Sequence, residues 1–205
     1  MNKRLLVLDI ETTGLRVGDG HRITELACLE MVDGLLTGKQ YHQYINPERD
    51  VDLEASRLTG LTWDFLRQYP TFTQIAHDFL NFIGDDQLVI HNSAFDLGFI
   101  NYQLAILHHP KIEKMRVVDT LHMARAKFPN KPNSLDALCE RFGISLEKRD
   151  YHGALVDVQL LARVYLELTG GVQRKLKLIV GQLDEPGVLK PEPVVFPKRQ
   201  FSVQF

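Results

Sequence analysis

At 205 residues the chain is long enough for one domain with a sizeable core and a tail. A composition of 44% hydrophobic and 24% charged residues is ordinary for a soluble globular protein, and no apolar run approaches the ~20 residues of a membrane span. The formal net charge of −2 excludes a protein that holds a polyanion by overall basic charge. The charge is unevenly shared, because residues 1–170 carry 18 basic and 23 acidic side chains while 171–205 carry six and three. An acidic body still binds a polyanion if its carboxylates hold metal ions that invert the local field.

The first element is an apolar run, Leu5-Leu6-Val7-Leu8, which reads as a buried strand continuing through Asp9-Ile10-Glu11 to Gly14. A polar loop follows to Gly20, then an Ile-, Leu- and Val-rich segment over Arg22–Val32. Asp33-Gly34 is a hairpin signal, with the return strand over Leu36–Ile45 stopped at Asn46-Pro47. Short helical stretches are expected at 52–58 and 62–69. Phe72, Ile75, Ala76, Phe79, Leu80 and Ile83 repeat at the helical period, and Gly84 closes that helix. Leu88-Val89-Ile90 is a short strand leading through His91–Asp96 into a helix ending near Leu107. Val117-Val118-Asp119 reads as another buried strand. Ser134 caps a helix with Leu135, Leu138, Cys139 and Phe142, closed by Gly143, and a last helix runs from Gly153 to Thr169. This order predicts an α/β domain over 1–171, with a mixed central sheet and helices on both faces. Four prolines among Glu, Lys and Val mark the region beyond Gly181 as extended, so 172–205 is read as a tail. Cys28 and Cys139 stand alone, which suggests neither a disulfide framework nor a zinc site and fits a reducing cytoplasm. The start imitates a signal peptide until Asp9 and Glu11 interrupt it.

Side chains alternate along a strand, so Asp9 and Glu11 point the same way. Two like charges at the end of a buried strand repel, and desolvation adds to the cost, so a cation is expected between them. Hard divalent ions with oxygen ligands meet that need. Asp96 lies in the first turn after a strand, where a carboxylate that merely faces the helix dipole is the plainer reading. Asp157 sits among Leu155, Val156, Val158, Leu160 and Leu161 on a largely apolar helix, where a carboxylate calls for a cation. His152 stands at the mouth of that helix. Asp119 reads as a carboxylate bonding the next helix, and His91 and His122 as structural.

Together Asp9-Ile10-Glu11-Thr12-Thr13-Gly14, His91-Asn92-Ser93-Ala94-Phe95-Asp96 and His152-Gly153-Ala154-Leu155-Val156-Asp157 resemble the motifs of the DEDDh exonucleases, in the same order. These are the DnaQ-like branch of the ribonuclease H-like fold, and the resemblance covers residues 1–170. It implies that Asp9, Glu11, Asp96 and Asp157 ligate two Mg²⁺ or Mn²⁺ ions and that His152 is the general base. It further implies contact with the terminal nucleotide from Asp9, Glu11, Thr12, Thr13, Gly14, Glu54, Thr59 and Asp157, with Gly14 allowing close approach. Thr59 departs from the pattern, since the family commonly carries a histidine there.

Asn133-Ser134-Leu135-Asp136-Ala137-Leu138-Cys139 and Tyr165-Leu166 through Gly171 point to the proofreading branch of that family. That likeness implies a 3′–5′ exonuclease acting on single-stranded DNA ends, with the tail tethering it to the polymerase catalytic (alpha) subunit. Gln173–Leu178 loosely resembles a sliding-clamp peptide. Two other readings compete: an exoribonuclease of oligoribonuclease or tRNA-trimming type, and a scaffold that has lost catalysis. All five catalytic positions are filled, which argues against the scaffold.

Overall fold

The computed structural model describes residues 3–146 and 151–170. The tail expected over 172–205, with the peptide 173–178, lies outside the described residues. A five-stranded mixed sheet is ordered β3-β2-β1-β4-β5, with β1 over Arg4–Thr12, β2 over Ile23–Val32, β3 over Leu35–Tyr44, β4 over Gln87–Ile90 and β5 over Val117–Asp119. The first three strands form an antiparallel meander, and β4 and β5 add in parallel to β1. Asp33 and Gly34, at φ 49° and 74°, make the hairpin turn between β2 and β3.

Alternation along β1 serves two cores. Leu6, Leu8 and Ile10 face α3 (Phe72–Ile83) and α4 (Ser93–Ile106). There Phe79 and Phe99 are almost wholly buried, each contributing about 2–3 kcal/mol. Leu5 and Val7 face the other way, onto α6 (Leu135–Phe142) and α7 (Ala154–Leu168). Helices on both faces of a mixed sheet are the layered α/β arrangement expected. Cys28 and Cys139 are free thiols in different cores, so they share no bond.

Local signals position the helices. The Thr71 N–H donates to Gln74 Oε1 at 2.8 Å to start α3, and Ser134 Oγ accepts from the Ala137 N–H at 3.3 Å to start α6. Of the two short stretches expected early in the chain, one forms α1 (Leu53–Thr59). The other shrinks to α2 (Trp63–Leu66), because Pro70 disfavours helix at the residue before it. Two expectations need correction. Val117–Asp119 is half-buried rather than buried, because it is the last strand of the sheet. A further helix, α5 (Thr120–Lys127), follows it directly. Asp119 caps α5, accepting from the Leu121 N–H at 2.9 Å and the His122 N–H at 3.2 Å, and it also takes the N–H and hydroxyl of Ser93. Burial alone would raise the Asp119 carboxyl, but these hydrogen bonds outweigh it and hold the group below the usual carboxylate range.

The start of β1 is fixed by Arg4. Its guanidinium reaches Glu30 Oε2 at 2.5 Å, pairs with Asp86 and donates to the Phe82 carbonyl at 3.1 Å. Hydrogen bonds from Arg4 and then Thr37 hold Glu30 below its ordinary value. No helix among the described residues is long and apolar enough to cross a membrane.

Candidate active site: carboxylates at the end of the central strand

The alternation that sends Leu5 and Val7 toward α7 sends Asp9 and Glu11 the same way, at the end of the strand. The other acids come from helix starts. The chain leaves β4 through His91 and Asn92, the latter in the left-handed region at φ 63° and ψ 51°. His91 Nδ1 lies 2.9 Å from Thr120 Oγ1, and the Ser93 N–H and Oγ donate to Asp119 at 2.9 and 2.7 Å. Those contacts fix the first turn of α4, and with it Asp96. Asp96 is buried, and the backbone of Ile10, the residue between Asp9 and Glu11, lies near enough to its carboxyl to favour the charged form.

On the side of the sheet that Asp9 and Glu11 face, α7 begins after Gly153, whose backbone is extended. Asp157 is buried in its first turn, and His152 Nδ1 lies 3.6 Å from Asp157 Oδ2. Ligand atoms of Glu11, His152 and Asp157 fall within 4.8 Å of one another. Asp9 joins them electrostatically. Burial raises its carboxyl well above the ordinary range, and the charges of Asp96, Glu11, Asp157 and Glu25 push it further in the same direction. Burial likewise raises Asp96. Carboxylates converging in this way fit divalent cations, since a bound cation removes the repulsion that otherwise drives protons on. Asp9, Glu11, Asp96 and Asp157 are therefore brought together, with His152 at their edge.

The nucleotide-contact residues divide into two groups. Thr12, Thr13 and Gly14 follow the acids directly, but their side chains serve the local fold. Thr12 Oγ1 donates to the Gly14 carbonyl at 2.7 Å, and Thr13 Oγ1 lies 3.0 Å from His21 Nδ1. Gly14 has a nearer reason to be glycine than close approach of a nucleotide. A Cβ there would sit 2.3 Å from the buried His21 ring. On α1, Glu54 is exposed, and Thr59 is buried with its hydroxyl donating to the Ala55 carbonyl at 2.8 Å. Its one hydroxyl proton is thus used inside the helix. α1 borders the cleft through its backbone, with the Asp52 N–H donating to Thr13 O and the His152 N–H donating to Leu58 O, both at 3.0 Å.

Sequence reasoning misses Glu25, His42 and His21, which lie around this cluster. Glu25 stands opposite Glu11 in the β1–β2 pairing and is fully buried. No local motif marks it. A charged residue inside the apolar run Ile23–Leu29 is the one signal that could have found it.

A family model described as "Exonuclease" matches residues 6–165. The DNA polymerase III subunit epsilon of Rickettsia felis is 48% identical over 179 residues, covering 86% of this chain and 78% of that protein. The protein of the same name from Escherichia coli K12 is 47% identical over 175 residues, covering 82% and 72%. Among solved structures, the nuclease domain of 3′hExo, a DEDDh family member bound to rAMP, matches with a TM-score of 0.70 at 20% identity over 83% of this chain and 93% of that one. Exonuclease X in complex with 5′ overhanging duplex DNA matches with a TM-score of 0.64 at 22% identity over 82% and 92%. Those two likenesses speak to the fold.

Proposed function

The chain belongs to the exonuclease family, among its DEDDh members, and is a metal-dependent 3′–5′ exonuclease similar to the epsilon subunits of DNA polymerase III; from that premise we propose which residues carry the reaction and on what substrate. Asp9, Glu11, Asp96 and Asp157 hold two divalent cations, Mg²⁺ or Mn²⁺, and His152 is the general base. The observation that carries this is the closure of Glu11, His152 and Asp157 to within 4.8 Å beside an Asp9 raised by burial and, further, by its acidic neighbours.

When bound, the two ions supply Lewis-acid charge along an in-line displacement at phosphorus. Asp157 and Glu11 present ligand atoms within 4.8 Å of each other and would hold an ion between them. His152 stands at the rim of the cluster, with Nδ1 3.6 Å from Asp157 Oδ2, and acts on the attacking water. The imidazole takes one proton from the water as its oxygen bonds to phosphorus. The bond from phosphorus to the 3′ oxygen breaks, a nucleoside 5′-monophosphate leaves, and the 3′ oxygen takes a proton from solvent, so the shortened strand ends in a 3′-hydroxyl. The turn Thr12–Gly14, fixed by His21 and Asp52, forms the floor under the terminal nucleotide.

The substrate is a single-stranded DNA 3′ end, and the setting is proofreading beside a replicative polymerase in the cytoplasm. The 48% identity to an epsilon subunit over most of both chains supports this choice above an exoribonuclease. The tail over 172–205 is the segment assigned to the polymerase alpha subunit, and 173–178 to the sliding clamp. Incubating 5′-labelled DNA and RNA oligonucleotides of one sequence with Mg²⁺, Mn²⁺ or EDTA tests the core of the proposal. A metal-dependent ladder from the DNA 3′ end is expected, with His152→Ala slower by about 10²–10⁴-fold. A ladder on RNA alone would overturn the substrate, and full activity in His152→Ala would overturn the base. Truncation after Gly171 should leave cleavage and abolish co-purification with the alpha subunit.

A further inference from the structure

Glu25 is a buried acid beside the site that the chemistry above does not use. Both its oxygens have partners in the surrounding fold. Oε1 lies 2.7 Å from His42 Nε2 on β3, and Oε2 accepts the Ala154 N–H at 3.2 Å. Ala154 is the first residue of α7, two residues after His152 and three before Asp157. One side chain therefore links the second and third strands of the sheet to the start of the helix that bears both residues.

We propose that Glu25, braced by His42, is a positioning residue for the reaction: it fixes the His152–Ala154 turn and so places His152 and Asp157 toward Glu11. The inference deepens the reading given above and rests on it. The geometry sets its logic. The turn is held on two sides, with the His152 N–H donating to Leu58 O at 3.0 Å and the Ala154 N–H donating to Glu25. Gly153 lies between the two anchors and takes an extended conformation with no side chain to pack. The Gly153 carbonyl accepts the Val156 and Asp157 N–H groups at 3.0 and 2.9 Å, so without the Glu25 anchor the turn is held from the helix side and by Leu58, and the glycine gains freedom that the imidazole shares. α7 itself has an extensive apolar face in the core, through Val158, Leu161 and Val164, so the helix stays in place when its first turn loosens. The expected consequence is loss of alignment rather than loss of fold. His42 keeps the carboxylate aimed, and its ring packs edge-on against Tyr44 at 5.1 Å.

The test uses the full chain with a single-stranded DNA oligonucleotide and saturating Mn²⁺. Glu25→Leu should lower kcat by about 10–100-fold, the usual cost of losing an outer partner of a metal site, with KM for DNA changed by less than about threefold. Glu25→Gln can accept from Ala154 through its carbonyl and donate to His42 through its amide, so it should recover kcat to within about threefold of the parent. The amide exchange of Ala154 is the readout specific to this role. It should be protected in the parent and in Glu25→Gln, and exposed in Glu25→Leu. If Glu25→Leu does not fold, His42→Ala decides the matter through the same amide: faster exchange with a lowered kcat supports the role. Equal damage from Gln and Leu would mean that the charge and not the hydrogen bond matters, and would overturn the proposal. Ala154 exchange unchanged in His42→Ala and Glu25→Leu would also overturn it. Retention of full cleavage in Asp9→Ala is a separate failure, one of the metal-site reading, because Ala154 exchange does not depend on Asp9.

Discussion

The two ends of β1 handle buried acids in opposite ways. At its start, Arg4 supplies a fixed cation to Glu30 and Asp86, and the Glu30 carboxyl is held low. At its far end, acid faces acid, and Asp9 is held high. A single strand thus carries a closed ion pair, which stabilises the fold, and a repelling cluster, which costs stability when no metal is bound. The contrast separates structure from function along nine residues. A guanidinium cannot be exchanged, whereas a divalent cation can be released and can accept a phosphate oxygen.

The sharpest way to break the comparison is Asp9→Asn. Loss of a ligand should cut cleavage by about 10³-fold or more, where each ~1.4 kcal/mol is tenfold. In metal-free buffer at pH 8 the same change should raise Tm by about 2–5 °C, since an ionised Asp9 is disfavoured in the folded state. A drop in Tm would show that the cluster is not repelling. Next in size is Gly14→Ala, in which the new methyl meets the His21 ring and must displace the Thr13 turn. It should cost about 1–3 kcal/mol of stability and about 10-fold in rate, measured by urea melts and the DNA ladder. Arg4→Met tests the opposite end: about 1–2 kcal/mol should be lost with the rate within about twofold of the parent. A large rate loss there would mean that the two ends are coupled.

The smallest expected effect is the pH dependence of metal stabilisation. Asp9 and Asp96 have folded-state values raised above the unfolded one, so the folded metal-free chain binds more protons than the unfolded chain between those values. Their contribution is therefore fully present below the ordinary carboxylate range and lost as pH rises through the raised values. Glu30 and Asp119 run the other way, with stability present above their ordinary values and lost as pH falls. Those two are common to metal-free and metal-bound protein, so they cancel from the difference. The Tm increase on adding Mn²⁺ should accordingly be larger at pH 8 than at pH 5, by thermal melts in both buffers. An equal increase at both would place the cation elsewhere.

What could be read from the sequence follows from what is local. Asp9 and Glu11 are legible because alternation within one strand fixes their common direction, and the helix over 72–83 because its apolar residues keep one period. The helix Thr120–Lys127 carries no such stripe, burying only Thr120 and Ala124, so nothing separated it from a loop. Val117–Asp119 looked like a central strand because apolarity shows β structure but not the place of a strand in a sheet. Glu25 and His42 become neighbours through pairing between β2 and β3, and Glu25 reaches Ala154 across 129 residues. No spacing rule spans that distance. The likeness in sequence marks Thr59 as a contact to the terminal nucleotide, but it does not show that the hydroxyl also donates to the Ala55 carbonyl within its own helix.

The alternation of β1 also sets where the chain tolerates a change of length. Leu6, Leu8 and Ile10 enter one core while Leu5, Val7, Asp9 and Glu11 face the other side. One extra residue between Leu5 and Leu8 would exchange those faces beyond the insertion, driving carboxylates into the α3–α4 layer and leucines into the metal cleft. The same insertion between Asp33 and Gly34 only lengthens a surface hairpin. A library of single-codon insertions scored for exonuclease should therefore be empty within β1 and populated at that turn.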